Sequence, residues 1–158
     1  MTDDPLREQL ARFLDWGEAH VDFDKSLAGI PPDKRGARAA AIEHSIWQLL
    51  EHMRIAQTDI LNFCVNAKYV HDLKWPDDYW PTDPAPPSGD AWDQSVAAFR
   101  RDREALKLLA REATDLHALV PTGKGHQTFI RAILLVNDHN SYHLGQILVV
   151  RKALGIWG

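Results

Sequence analysis

Asp138-His139-Asn140-Ser141-Tyr142-His143-Leu144-Gly145-Gln146 lies inside a long apolar run from Phe129 to Leu154. Read as helix, residues i and i+4 share a face and sit about 6 Å apart. His139 and His143 are so placed, and two imidazoles at that spacing can grip one metal ion. Histidine is costly in an apolar interior unless its nitrogens are used. The bare spacing also fits a pair on a solvated face, or two core histidines bonded to backbone or side-chain partners.

The run does not describe a membrane span, because Arg131, Asp138, two histidines, Arg151 and Lys152 interrupt it. Outward from it, further helical stretches come into view. One runs from about Pro5 to Ala28, with Leu6, Leu10, Phe13, Gly17, Val21 and Ala28 at helical spacing. Pro31-Pro32 stops it. The next covers about His44 to Val65, with Ile46, Leu49, Leu50, Met53, Ile60 and Leu61 as its apolar stripe. A long connection follows, with Trp75, Trp80 and several prolines; a loop of this length inside a compact domain is usually functional or a lid. The third stretch reaches from Asp90, a candidate N-cap, to about Leu119. Pro121-Thr122-Gly123-Lys124-Gly125 breaks the chain before the last helix, about Gln127 to Leu154, which Gly155 ends. No segment alternates apolar and polar residues as a strand would. The expected fold is all-α, a four-helix up-down bundle forming one domain over residues 1–158, with ligand sites built from inward side chains on facing helices.

Composition agrees with that reading. The 158 residues are 45% hydrophobic and 25% charged, which is globular and large enough to bury a core without disulfides. The net charge is -4, and no basic run suggests nucleic acid. The acidic N-terminus lacks the apolar core of a signal peptide, and the single cysteine, Cys64, suits a reducing cytoplasm. Cys64 itself reads as core.

A catalytic zinc-type ion wants three protein ligands and an open position. Of the other histidines, His126 is several turns away, His71 is in the loop, and His44 starts the second helix, where it caps or faces water. His52 lies at the border of that helix's apolar stripe, looking either into a cleft or into solvent. It is the best third candidate. On the first helix, Asp24 falls mid-stripe and His20 one turn earlier on the flank. Asp24 could orient a ligand histidine, act as a general base, or sit in water at the helix end. Gly17 leaves room for substrate or for close helix packing. Gln146 returns to the face of His139 two turns on, to bond a substrate or to bridge helices. Tyr142 reads as packing, and Arg103 as an anion holder or a surface ion pair.

Two segments resemble a known group. Ser45-Ile46-Trp47-Gln48-Leu49-Leu50-Glu51-His52-Met53-Arg54 and Asp138-His139-Asn140-Ser141-Tyr142-His143-Leu144-Gly145-Gln146-Ile147, with Arg151 and Trp157 beyond, are similar to the DinB/YfiT-like superfamily of metalloenzymes. The resemblance implies a four-helix bundle and a divalent metal, zinc or nickel, on His52, His139 and His143. It also implies frequent homodimers and, in some relatives, thiol-dependent transferase or isomerase chemistry. The functional expectation is a metal-dependent enzyme, a thiol-dependent transferase or a hydrolase, acting on a small molecule, with Asp24 or His20 moving a proton and the Trp75–Trp80 loop over the opening. The rival readings are a non-catalytic metal- or small-molecule-binding stress-response bundle and a metal-free interaction module. The fourth helix is apolar around most of its circumference, which fits either a homodimer face or a fully buried central helix.

Overall fold

The computed structural model describes residues 4–15, 17–40 and 42–158. Among the described residues five α-helices follow one another: α1 Pro5–Phe13, α2 Phe23–Leu27, α3 Ile46–Val65, α4 Ala91–Glu112 and α5 Phe129–Ala153. Among the described residues there is no strand, only an isolated bridge between Leu119 and Thr128. None of these helices is long and apolar enough to cross a membrane.

The ends of the long helices have local causes. Ser45 and Gln48 form a reciprocal capping box at the start of α3, so the helix begins after His44 and not at it. Thr128 caps α5 by accepting from the Arg131 amide. At the other end of α5 Gly155 adopts φ 69°, the left-handed conformation that closes a helix cheaply only at glycine. α4 stops at Glu112, short of the expected Leu119, because Ala113 turns extended.

The first expected helix is two pieces. α1 is capped by Asp4, carries Pro5 at its first position, and ends at Phe13. The chain then turns, and Asp22 starts a new helix by accepting from the Lys25 amide at 2.7 Å. Helical phase is lost between them. The projection that put Asp24 in line with Leu10 therefore does not hold.

The core lies where α3, α4 and α5 meet, with α1 against α4 and α2 against α5. Phe99 on α4 stacks on Phe23 of α2 with ring centres 4.0 Å apart, and both are fully buried. Leu50, Met53, Leu106, Leu144 and Ile147 fill the space around them. Buried Arg151 fixes α2 to the end of α5: it donates to the Ser26 carbonyl at 2.7 Å and to the Ile156 carbonyl at 3.1 Å, and its guanidinium lies over Trp157. Cys64 is core, and burial pushes its thiol up to about 12.

The connection from α3 to α4 is docked along α3. Tyr69 and Tyr79 both donate phenol protons to the Asp59 carboxylate, at 2.7 and 2.6 Å. Gln48 donates to the Pro81 carbonyl at 2.9 Å, and the Ser45 hydroxyl to the Pro84 carbonyl. These bonds set the position of Trp80 over the middle of α3.

Candidate metal centre

His52 comes from the second turn of α3, and His139 and His143 from successive turns of α5. The helices bring one nitrogen from each ring within 4.8 Å of the others. His52 and His143 are buried and His139 is half-buried.

The ring tautomers follow from the partners. His52 Nδ1 lies 2.9 Å from the Tyr79 carbonyl, which can only accept, so Nδ1 carries the proton. For His139 the argument runs through two buried amides. The Phe99 carbonyl accepts from Gln57 Nε2 at 2.8 Å. Gln57 Oε1 accepts from Asn140 Nδ2 at 3.0 Å. That leaves Asn140 Oδ1 facing His139 Nδ1 at 3.0 Å, so Nδ1 donates there too. His143 Nδ1 lies 2.6 Å from Gln146 Oε1. The Nε2 atoms of His52 and His139 are thus left as bare lone pairs.

His52 Nε2 and His139 Nε2 nevertheless face each other at 2.9 Å. Two lone pairs at that distance repel unless a cation is shared between them. A proton is a poor choice, because burial holds His139 low and pushes His52 and His143 down to about 4, with neighbouring imidazoles adding to the effect on both. Neutral imidazoles with oriented Nδ1–H groups are the form that binds a divalent ion. The donor set fits such an ion.

A cavity of about 830 Å³ opens in front of the histidines. Leu49, Trp75, Trp80, Tyr142, Gly145 and Val149 give it an apolar and aromatic wall, and Gln146, Glu43 and His44 are its other polar members. Trp80 is sandwiched between His52, 3.7 Å away and nearly parallel, and His44, 3.9 Å away. Trp75 and Tyr142 stand at the mouth, both mostly exposed; Tyr142 is a cavity residue and not packing.

A sequence model of the DinB superfamily matches residues 16–147. The chain belongs to the DinB superfamily. No curated protein and no solved structure matches it. In this DinB-superfamily protein the matched span contains all three histidines and the loop that carries Tyr79 and Trp80.

The other expected site residues lie elsewhere. Asp24 is about half exposed on α2, bonded to Arg100 at 2.7 Å and near Arg103. His20 is exposed, with Nδ1 on its neighbour's carbonyl and Nε2 3.3 Å from Ser141 Oγ. It borders a separate small cavity with Phe13 and Gly17. Neither lines the histidine cavity among the described residues. Arg103 is buried and pairs with Asp15 and Asp24. Three residues escaped the sequence reading. Gln57 and Asn140 are buried amides, legible only as polar interruptions of apolar stripes. His44 looked like a helix-start residue and is a cavity wall.

Proposed function

We propose that this protein is a metal-dependent enzyme that holds a divalent ion, zinc or nickel, on His52, His139 and His143, and uses it on a small-molecule substrate, with water or a low-molecular-weight thiol as the attacking group. One observation carries the reading: the Nδ1 atoms of His52 and His139 are committed to oxygens, their unprotonated Nε2 atoms face each other, and a His143 nitrogen lies within 4.8 Å of them beside a cavity large enough for a ligand. Three imidazoles leave further positions of a divalent ion open, which distinguishes a reactive site from a structural one. When bound, the ion supplies Lewis acidity and lowers the pKa of water or a thiol that reaches it.

The chain's own residues do the rest. The Tyr79 carbonyl and the Gln57–Asn140 pair hold the rings of His52 and His139 in one tautomer and one orientation. Trp80 and Leu49 exclude bulk water from the inner end. His44 shares the cavity wall, but the Trp80 indole stands between its ring and His52, so accepting a proton from the attacking nucleophile is not assigned to it. That role was expected of His20 or Asp24 on the first helix, and their placement gives it no support. A homodimer is part of the proposal: Leu135, Tyr142 and Val149 recur every seven residues on the exposed side of α5.

The deciding experiment is metal content of protein purified without an affinity tag, compared with His52→Ala. One ion per chain in the wild type and background in the variant is expected. Equal content in the two ends the proposal.

A further inference from the structure

Gly145 occupies the interior of α5, where glycine is less favourable than alanine. Neither usual reason for a glycine applies. Its φ does not lie in the left-handed region, where only three other glycines fall among the described residues. Nor does a neighbouring element press on it: a Cβ placed there would meet no atom within 4 Å. The space belongs to the histidine cavity, which Gly145 lines. Gly145 is solvent-exposed, so a side chain there would stand at the edge of that cavity.

The wall says what fits the room. No lysine or arginine lines it, and its one carboxylate, Glu43, stands 86% exposed at the edge. A phosphate or a polycarboxylate would find no cationic side chain in this wall, and a small polar molecule would leave the indole and phenol rings wet. Trp75 is a large apolar group left mostly in solvent beside the cavity, and it is not part of the α5 face proposed for the homodimer. A ligand with an apolar body would cover it and withdraw that surface from water.

We propose that the cavity takes a mainly apolar ligand of aromatic or alicyclic character, whose body lies beside Gly145 against Trp75 and Leu49. Its one polar donor points at the three imidazoles. The donor end rests on the metal reading above; the apolar body does not. A second copy of the chain would lie across Tyr142 and Val149, whereas the cavity is also lined by the buried Leu49 and His52.

The test measures binding of four probes to metal-free and zinc-loaded protein: benzyl alcohol, benzyl mercaptan, 2-mercaptoethanol and phenyl phosphate. Gly145→Ala and Gly145→Leu are compared with the wild type. Benzyl alcohol should bind the metal-free protein, and benzyl mercaptan should bind the zinc-loaded form at least about tenfold more tightly than 2-mercaptoethanol. Gly145→Leu should remove that preference while zinc content stays unchanged, and Gly145→Ala should raise the melting temperature, showing that the helix tolerates a side chain there. Loss of zinc binding with benzyl alcohol still held in a Gly145-dependent way would reject the metal reading and keep this inference. Equal affinity for the two thiols would overturn it. So would phenyl phosphate binding the metal-free protein better than benzyl alcohol, or a Gly145→Leu effect confined to sedimentation behaviour, which would give the space to a second copy.

Discussion

His52 Nε2 and His139 Nε2 stand 2.9 Å apart, and neither carries a proton, because each ring has its hydrogen on Nδ1 and an oxygen waiting for it. A shared cation would remove that conflict, and the third imidazole, His143, would complete its donor set. Removing one ring should therefore lower divalent-metal affinity by roughly a hundredfold or more, beyond what loss of a supporting hydrogen bond costs. His139→Ala, measured by chelator competition, checks this; unchanged affinity would reject the site.

Asn140 is fully buried and touches no solvent, yet it sets which nitrogen of His139 is bare. Asn140→Ala should reduce metal affinity by about 10–100-fold while leaving all three ligands in place. Gln57→Leu, one bond further from the ring, should act in the same direction and more weakly. If Asn140→Ala lowers stability but leaves the competition curve where it was, the amide pair is structural only.

Acid should weaken the metal-free protein. The folded His52 and His143 side chains have pKa values pushed down to about 4, below the ordinary value of 6.5. The unfolded chain then binds protons that the folded chain refuses. Stability from these rings is complete above pH 6.5 and is lost as pH falls from there toward 4. Thermal melts between pH 7 and pH 4 should show the loss, and His52→Gln should flatten part of it.

Phe99 joins α4 to α2 through its stack on Phe23. Phe99→Ala removes a fully buried ring and should cost about 3–5 kcal/mol by denaturant titration. The Phe99 carbonyl is the anchor of the Gln57–Asn140 chain, so a weakened metal site should accompany the loss. A cost under 1 kcal/mol would mean that the core is filled differently.

Asp24→Asn breaks an exposed pair with Arg100 and should change stability by no more than about 1 kcal/mol. Metal content should match the wild type. A large drop in bound metal would show that α2 reaches the site after all.

The histidine cluster was legible because its two parts obey local rules. A four-residue spacing on a helix fixes His139 beside His143, and His52 sits on the edge of a stripe whose helix start is written in Ser45 and Gln48. The break between α1 and α2 was not legible from periodicity, since Leu6, Leu10, Phe13, Gly17 and Val21 continue the pattern across the turn. Its signal was Asp22, whose side chain makes a new cap. Asn140 and Gln57 find each other across 83 residues, and the acceptor for His52 is a backbone carbonyl, which no residue type encodes. Asp24 shows the reverse: a helix projection placed it inward, and two arginines on α4 hold it at the surface.

The carbonyl that receives the His52 proton belongs to Tyr79, on the connection between α3 and α4, and Tyr79 is held by Asp59 two turns along α3. On the proposed metal reading, ion loading and the seating of this connection would be one linked equilibrium. A bound ion should protect the segment around Tyr79 and Trp80 from amide exchange, and anything that lifts the segment should loosen the ion by the same free energy. The covering of the cavity and the gripping of the ion would then be two readings of a single latch.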